Sequence, residues 1–350
     1  RCVYETVTGD GVEQCVQALK ATAGGMDQWD PADMKLLSKL ACSRLAEFFK
    51  AIEAGAKWPK QLTTARAAFL AKEEDSDLDP MDYRVLLMLA SSYRIWGKIR
   101  LAHLKPWIAT WDRQEIYAGI EGKGAADAAY ATAIEIEYCR LMGTPYTGGA
   151  ADIFKCFDQV RREIIYRLLE KAGMPKQLVR TYRGFLEALT VRNTVAGGLG
   201  ESYTKPTSIP QGDPMSMMVT SLLLRPWVMQ MLSYGVKPRI LADDLQLMCT
   251  GEGHLDAFTN AFDLSHQHLE HLGAKLAPKK SITWSSSAAA RKWLAAHRWD
   301  KPRRTIKVIT DGRGLGCHIN GMDGCLGCRS GSESLGVDKD SAAGAQKHLF

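Results

Sequence analysis

The chain has 350 residues, of which 46% are hydrophobic, and a formal net charge of +6. This length and apolar content predict one large or two modest domains with a buried core. The longest apolar run, residues 215–224, is about half a membrane span and contains Ser216, Thr220 and Ser221, which argues against a membrane-spanning helix.

Several features of the sequence indicate an intracellular protein. The chain begins at Arg1 without an initiating Met, shows no charged-then-apolar leader, and has nine irregularly spaced cysteines. An odd, irregular cysteine set in a long chain without a leader is typical of reduced thiols. We expect a soluble fragment of a nuclear or cytoplasmic protein, with no membrane partner.

The positive charge is concentrated in two stretches. Residues 275–310 contain ten Lys or Arg against Asp300 alone, and residues 161–192 contain eight against three Glu. Two basic stretches in an otherwise acidic chain are expected where a protein binds a phosphate backbone, although solvated helix faces would look the same.

The first 57 residues are predicted to form an N-terminal helical extension with a packing role. Apolar residues recur at helical spacing after Asp33, which could cap the helix, and Gly55 would end it. An acidic loop at 73–80 follows, and residues 82–88 lead into a helical run that ends near Trp107.

A glycine-rich stretch at 117–128 precedes an Ala-rich helix predicted to reach Met142. Small residues here would allow close approach to a template backbone, and a flexible loop before a helix fits equally well.

Three acidic or polar motifs follow in order. Residues 151–160 form an apolar strand candidate with Asp152 near its start, and residues 239–248 form a predicted hairpin with Asp243 and Asp244 at its turn. Between them lies Gln211-Gly212, ahead of a helix for which Asp213 is the expected N-cap and Pro214 the first residue. Adjacent acids between apolar strands repel each other unless a divalent cation offsets the charge.

These three motifs, in this order, resemble motifs A, B and C of reverse transcriptases. The flanking residues are most similar to the LINE-type (non-long-terminal-repeat) retrotransposon branch and its group II intron relatives. The resemblance covers residues 58–320 and implies an α+β right-hand polymerase fold with fingers, palm and an incomplete thumb. No endonuclease or RNase H module is recognisable.

The resemblance implies an RNA-directed DNA polymerase with a two-metal site. Asp152, Asp243 and Asp244 would be the catalytic metal ligands, with the Ile153 carbonyl as a further ligand. Mg²⁺, or Mn²⁺ in its place, suits oxygen ligands of this kind. The partners would be an RNA template, a DNA or RNA primer and deoxynucleoside triphosphates.

Six residues are expected to contact the nucleotide. Phe157 would crowd the 2′ position of the sugar and exclude ribonucleotides, and Lys280 would neutralise or protonate the departing pyrophosphate. The full set is Lys72, Arg84, Phe157, Gln211, Gly212 and Lys280. Val85 replaces the family's usual Pro in the segment at 82–88, and four residues in the later motifs also depart from the common pattern, namely Asp213, Met217, Leu241 and Ala277.

Basic residues near these motifs are candidate nucleic-acid contacts. Three tryptophans in the basic C-terminal stretch could stack on a strand or pack in the core beneath Lys and Arg stems. The candidate contacts are Lys123, Arg161, Arg162, Lys279, Arg291 and Lys292.

Two rival functions remain open. Phe157 argues against an RNA-directed RNA polymerase, whereas the four departures are compatible with a decayed retroelement product that binds nucleic acid without catalysis.

Zinc binding by Cys317, His318, Cys325 and Cys328 is disfavoured by the spacing, and a helix carrying His266, His268 and His271 is expected to be a solvated surface helix. Residues 306–320 are similar to the family's primer grip, and residues 321–350 are expected to be a disordered Gly/Ser-rich tail.

Overall fold

The computed structural model describes residues 2–71, 83–153, 155–195, 197–274, 277, 280–300, 303–314 and 317–320. Helices and strands are mixed throughout this part of the chain. The helices are α1 (Gly9–Gln17), α2 (Pro31–Met34), α3 (Lys39–Ala54), α4 (Ser91–Trp111), α5 (Ala125–Leu141), α6 (Cys156–Gln159), α7 (Arg162–Lys171), α8 (Lys176–Ala188), α9 (Ser216–Ser233), α10 (His254–His271) and α11 (Ala288–Ala296). The strands are β1 (Thr64–Ala71), β2 (Tyr83–Met88), β3 (Tyr146–Asp152), β4 (Thr190–Val195), β5 (Gly198–Thr204), β6 (Lys237–Leu241), β7 (Asp244–Thr250), β8 (Ile282–Ser285), β9 (Lys307–Val308), β10 (Asp311–Gly314) and β11 (Cys317–Asn320).

A five-stranded sheet forms the larger half of the fold, in the order β6-β7-β3-β8-β9. The central strand, β3, pairs antiparallel with both β7 and β8. Helices α9, α10 and α11 contribute to one apolar cluster against this sheet, and α5 packs with Tyr146, Met248 and Trp284 in another. The central strand is therefore covered on both faces.

Small residues in β3 make this covering possible. A Cβ at Gly148 would lie 2.6 Å from the Trp284 ring, and one at Gly149 would lie 2.7 Å from the Phe258 ring. The prediction of a strand at 151–160 was wrong, because the strand ends at Asp152 and α6 follows. Glycine usually indicates a weakened or interrupted strand, but here the two glycines leave room for aromatic rings to pack against the backbone.

A four-stranded sheet, β2-β1-β4-β5, belongs to the other half. Its inner strands bury Ala65, Ala67 and Val191 in a large cluster with α1, α3, α4, α7 and α8. The N-terminal helices thus share their core with the second sheet.

A buried ion pair fixes the N-terminal extension to α4. The Arg100 guanidinium donates to both carboxylate oxygens of Glu53, at 2.6 and 2.5 Å. The same carboxylate accepts from the Trp96 indole and the Tyr4 hydroxyl. Complete hydrogen bonding offsets much of the cost of burying two charges, and removing one partner would leave the other buried and unpaired.

The helix boundaries near the N-terminus differ partly from the prediction. Ser38, not Asp33, caps α3, with its hydroxyl accepting from the Ala41 amide. Asp33 instead lies inside the short α2 and accepts from the Asp30 amide. Gly55 ends α3 as predicted, with a φ of +125°.

Helix α9 belongs to both halves of the molecule. Its first half, from Ser216 to Leu223, packs into the cluster of the four-stranded sheet. Its second half, from Leu224 onward, packs against the five-stranded sheet through Trp227 and Met231. Pro226 lies inside the helix just after the change of side.

Two short strands, β10 and β11, pair antiparallel in the region similar to the primer grip. Of the four zinc candidates, Cys317 and His318 lie in β11, where only the backbone is described. Cys325 and Cys328, like the expected tail at 321–350 and the acidic loop at 73–80, lie outside the described residues. Among the described helices, none is long and apolar enough to cross a membrane.

Replacing Gly149 by Ala tests the close packing of the central strand. The new Cβ would meet the Phe258 ring at 2.7 Å and the Ile282 carbonyl oxygen at 3.0 Å. Overpacking of this kind lowers the free energy of unfolding by about 1–3 kcal/mol. Denaturant unfolding should show this loss for Gly149→Ala. Gly184→Ala is the control, since Gly184 lies in α8 with nothing within 4 Å of a new Cβ. It should raise stability by up to about 1 kcal/mol, and equal effects at both positions would contradict the packing argument.

Candidate active site

The acidic hairpin forms at the predicted place. Strand β6 ends at Leu241, β7 begins at Asp244, and Ala242 and Asp243 make the two-residue turn between them. Ala242 has a φ of +57°, the left-handed conformation that suits tight turns between antiparallel strands. The turn interrupts the alternation of side chains, so the two adjacent acids are not forced onto opposite faces of the sheet.

Asp152 joins these acids through strand pairing. It is the last residue of β3 and lies opposite Asp244 in the antiparallel register. Directly opposed residues in such ladders have Cα atoms about 4.5–5.5 Å apart. Backbone hydrogen bonding therefore gathers Asp152, Asp243 and Asp244 at one end of the sheet.

A lysine reaches the same place from the loop before β8. The Ala277 amide donates to the Asp152 carbonyl oxygen at 2.7 Å, which holds this loop against the end of β3. The Lys280 Nζ then lies 3.2 Å from Asp152 Oδ2, while the lysine side chain remains 63% exposed. Lys280 is thus bound to one of the three acids and open to solvent.

The site lacks enough positive charge for its acids. Burial, followed by the charges of Asp243 and Asp152, raises the pKa of Asp244 to about 6. Burial also raises the pKa of Asp243, and the cations of Lys280 and Arg84 act in the opposite direction. Since Arg84 lies in β2, the four-stranded sheet presents a cation toward the acidic hairpin.

The donor chemistry of the three acids fits a divalent cation, since carboxylate oxygens are the ligands that Mg²⁺ and Mn²⁺ take. In the described part of the chain, no three Asp, Glu, His or Cys side chains converge closely enough to hold a metal ion. The Asp152 carboxylate is bound to the Lys280 ammonium. The backbone placement and the ligand type nevertheless fit the metal.

The segment after Asp152 places Phe157 beside the second motif. The Ile209 amide donates to the Phe157 carbonyl oxygen at 2.7 Å, and the Ser208 amide donates to that of Val160 at 3.0 Å. Phe157 is half-buried and touches both large apolar clusters. It lies at the junction of the two halves, close in sequence to Asp152.

Gln211 and Gly212 are fixed against β2, the strand that carries Arg84. The Leu87 amide donates to the Gln211 carbonyl oxygen at 2.7 Å. Gly212 has a φ of +122°, and a Cβ there would lie 2.3 Å from the Leu87 carbonyl oxygen. Only glycine fits at this close approach, so the Gln211–Gly212 turn is set by the neighbouring strand.

A family model for "Reverse transcriptase (RNA-dependent DNA polymerase)" matches residues 71–306, about two thirds of the chain. The chain belongs to the reverse transcriptase family. The matched range includes all three acids, Phe157, the Gln211–Gly212 turn and Lys280. Comparison with curated proteins finds no match.

Solved structures with a similar fold include telomerase from Candida tropicalis. In complex with a fragment of telomeric RNA, that enzyme aligns with a TM-score of 0.50 and 11% identity over 72% of this chain and 46% of its own. The apo telomerase, truncated at its C-terminal domain, aligns with a TM-score of 0.51 and 10% identity over 81% and 59%. The chain spans about half the length of these neighbours.

The family and the neighbours together establish the expected α+β right-hand polymerase fold. In the terms used for this fold, the five-stranded sheet with the acidic hairpin is the palm. The four-stranded sheet with α4, α7 and α8 corresponds to the fingers.

Asp213 differs from its prediction in an informative way. Helix α9 begins at Ser216, so Asp213 and Pro214 precede it instead of forming its cap and first residue. The carboxylate is 3% exposed and accepts hydrogen bonds from the Tyr93 and Tyr182 hydroxyls, at 3.1 and 2.7 Å. It also accepts from the Met215 amide at 3.2 Å. Burial raises its pKa to about 6 and outweighs these three hydrogen bonds, which lower it.

The raised pKa predicts how stability depends on pH. Between the usual Asp value of 3.8 and about 6, the unfolded chain loses the Asp213 proton while the folded chain keeps it. The stabilisation due to this group is therefore present at low pH and lost as the pH rises through that window. The loss is at most roughly 3 kcal/mol.

Asp213→Asn provides the comparison, because Asn does not titrate. We expect wild-type stability to fall relative to this variant between pH 4 and pH 7, as measured by denaturant unfolding. Parallel stability curves for the two proteins would show that Asp213 has an ordinary pKa in the folded state.

The glycine-rich turn packs against the protein's own backbone. Gly119 has a φ of +70°, and a Cβ there would lie 3.0 Å from Met217 Cβ and 3.1 Å from its carbonyl carbon. The Ala118 carbonyl accepts from the Ser221 hydroxyl at 2.8 Å. The small residues allow this turn to approach α9, which neither sequence interpretation anticipated.

The predicted nucleic-acid contacts fall into two groups. Arg162 is buried and donates to the Ser208 and Leu186 carbonyls, which is a structural role. Lys123 donates to the Arg113 carbonyl at 2.9 Å, and Arg291 donates to Ser285 and Ser286 carbonyls. Arg161 and Lys292 are exposed, and Lys279 lies outside the described residues, as does Lys72 of the predicted nucleotide contacts.

The tryptophans and histidines of the C-terminal part also differ in how deeply they are buried. Trp284 and Trp299 are core residues, whereas Trp293 is 41% exposed and stacks on His297. His266 is buried against Phe262, so the prediction of a fully solvated histidine helix was wrong there. On the helix face that packs toward the sheet, a residue must be apolar or have its polar atoms hydrogen-bonded. His266 fits there because its Nδ1 lies 2.8 Å from the Phe262 carbonyl oxygen.

Sequence reasoning missed the two tyrosines that hold Asp213. Tyr93 is 120 residues away and Tyr182 is 31 residues away, so no local pattern links them. The one available signal was Asp213 itself, a charged residue at a position that the resemblance fills with a small or apolar one.

Proposed function

We propose that this chain is the catalytic part of an RNA-directed DNA polymerase. The observation that carries this proposal is the gathering of three carboxylates at the aligned ends of β3 and β7, with Lys280 against Asp152. Family membership supports the same reaction class. The source would be a retroelement of the LINE-type or group II intron branch, as the motif flanks suggest.

Asp152, Asp243 and Asp244 would hold two Mg²⁺ or Mn²⁺ ions, with the Ile153 carbonyl as an additional ligand. When bound, these ions lower the energy of the in-line attack by stabilising the attacking and departing oxygens. Lys280 lies against Asp152 with its side chain largely exposed, so its ammonium is within reach of a substrate held at these acids.

In this reaction the primer 3′-oxygen bonds to the α-phosphorus of the nucleotide as the bond to pyrophosphate breaks. Lys280, exposed at the rim of the site, would give a proton or positive charge to the departing pyrophosphate. Arg84 would bind the triphosphate, since a guanidinium pairs well with phosphate oxygens. Lys72, the next residue in the sequence after β1, is a second candidate.

Two further features would shape the nucleotide site. Phe157, five residues after Asp152, would exclude a 2′-hydroxyl by its bulk. Gln211 and Gly212 would bring an amide and bare backbone against the nucleotide or template base. The close fit of Gly212 to β2 keeps this surface free of side-chain bulk.

RNA template and primer would lie along basic surfaces of the fingers and palm. Arg161 and Lys292 are exposed and suited to phosphate contact. Lys279, Arg291 and Lys123 are further candidates, and Arg162 would act only by supporting the backbone at Leu186 and Ser208, to whose carbonyls it donates. One neighbour of similar fold is described with a fragment of telomeric RNA, in agreement with RNA as partner.

Primer extension on an RNA template tests the function. With Mg²⁺ or Mn²⁺, wild-type protein should extend a primer with deoxynucleotides and reject ribonucleotides. Asp243→Asn/Asp244→Asn should abolish extension while leaving primer-template affinity within about threefold, since it removes only metal ligands. Phe157→Val should admit ribonucleotides.

The controls separate the rival functions. Extension that is equal with ribonucleotides in wild type would favour an RNA-directed RNA polymerase. Tight primer-template binding with no extension by either metal would favour the decayed binding protein. Unchanged activity in the double Asn variant would exclude the acidic hairpin as the site.

Lys280 offers a separate prediction about the leaving group. Lys280→Ala should lower the single-turnover rate of nucleotide addition by about 10²-fold, in the range typical of general acids, with little effect on stability because the side chain is largely exposed. Rapid-quench measurement of one nucleotide addition would show it. Lys50→Ala is the matched surface control, since Lys50 is an exposed lysine of α3 with no proposed contact to nucleic acid, and a similar small change in both variants would rule out a chemical role for Lys280.

A further inference from the structure

Asp213 is a buried acid that the proposed reaction does not use. Its three donors are the Tyr93 hydroxyl from α4, the Tyr182 hydroxyl from α8 and the Met215 amide just before α9. One carboxylate therefore ties two helices of the fingers, α4 and α8, to the segment that continues from Gln211 and Gly212 into α9.

The anchor on the fingers side is rigid. The rings of Tyr93 and Phe185 stack with centroids 3.3 Å apart, and Trp58 contacts both of them edge-on. Tyr93 and Tyr182 are fully buried. Rings packed in this way cannot move without disturbing the core, so the positions of both hydroxyls are fixed.

The turn itself is held from two sides. On one side, the Leu87 amide binds the Gln211 carbonyl, and Gly212 lies in contact with the Leu87 carbonyl. On the other side, the next residue, Asp213, accepts hydrogen bonds from the Tyr93 and Tyr182 hydroxyls. Its amide also donates to the Pro210 carbonyl at 3.1 Å, which closes the bend.

We propose that Asp213 is a positioning residue for the incoming nucleotide: through Tyr93 and Tyr182 it holds the Gln211–Gly212 turn at a fixed distance from the fingers strand β2. This inference rests on the proposed function, because it assigns the turn to the nucleotide site. A carboxylate is well suited to the task since it accepts from both hydroxyls and an amide at once.

The kinetic consequence is a change in nucleotide binding. In Asp213→Ala, the turn would lose its second attachment, and the KM for deoxynucleotides should rise about 5–10-fold while kcat changes less than about threefold. Asp213→Asn keeps the size and two of the acceptor contacts, so it should restore KM to within about twofold of wild type.

The matched control is Ser265→Ala in the palm. Ser265 is also buried and accepts a hydrogen bond from the Trp227 indole at 2.9 Å. It should lower stability without altering KM. A rise in KM for Ser265→Ala as large as for Asp213→Ala would assign the effect to general destabilisation and overturn the proposal.

Tyr93→Phe/Tyr182→Phe covers the case in which Asp213→Ala does not fold. It removes both hydroxyls and keeps the ring packing. This double variant should reproduce the rise in KM, and a wild-type KM in it would overturn the proposal.

Hydrogen exchange gives a readout that does not need activity. The Leu87 amide and the peptide covering residues 208–216 should exchange at least about tenfold faster in the double Phe variant, with no change in the acidic hairpin at 237–250. If wild type extends no primer, the proposed function fails, and this exchange result still decides whether Asp213 holds the turn. Unchanged exchange at Leu87 would overturn that role.

Discussion

The candidate active site depends on the register between β3 and β7. Asp152 and Asp244 are opposed because Tyr146 pairs with Thr250 at the other end of the same ladder. A shift by one residue would turn every side chain of β3 to the other face of the sheet. Gly148 and Gly149 prevent that shift, since each is matched to an aromatic ring on its own face. The placement of the acids is thus a result of packing several residues away.

The same region gathers charge that the protein alone does not balance. Burial and proximity raise the pKa of both hairpin acids, and the cations that oppose this come from different parts of the fold, Lys280 from the palm and Arg84 from the fingers. Such a site attracts cations and phosphate-bound metal more strongly than a solvated acidic turn would. The electrostatic arrangement and the backbone register therefore favour the same chemistry.

Much of the architecture could be predicted from the sequence because its signals are local. The hairpin at 239–248, the helix after 88 and the helix ending near Met142 all follow from spacing within a short window. The order of the three motifs predicted the polymerase fold. The limits of β3 could not be predicted, because its glycines are explained only by Trp284 and Phe258, which are more than 100 residues away.

Charged residues were the least predictable part of the site. Arg161 and Arg162 are adjacent, yet one is exposed and the other is buried with its guanidinium bound to backbone carbonyls. Nothing in the local sequence separates them, because the distinction depends on where residues 186 and 208 lie. Asp213 poses a similar difficulty, since an acid that was predicted to cap a helix is instead held inside the core.

Helix α9 has a consequence for how the molecule can be divided. Fingers and palm are named as separate parts, but one uninterrupted helix supplies apolar side chains to both of their cores. No cut in the chain near this boundary would yield two complete modules, because each would expose half of a hydrophobic helix. Pro226 removes one backbone hydrogen bond from the helix, because it cannot donate to the Leu222 carbonyl. It does not turn the helix into a linker between the two parts. The two parts should therefore fold and unfold as a single cooperative unit.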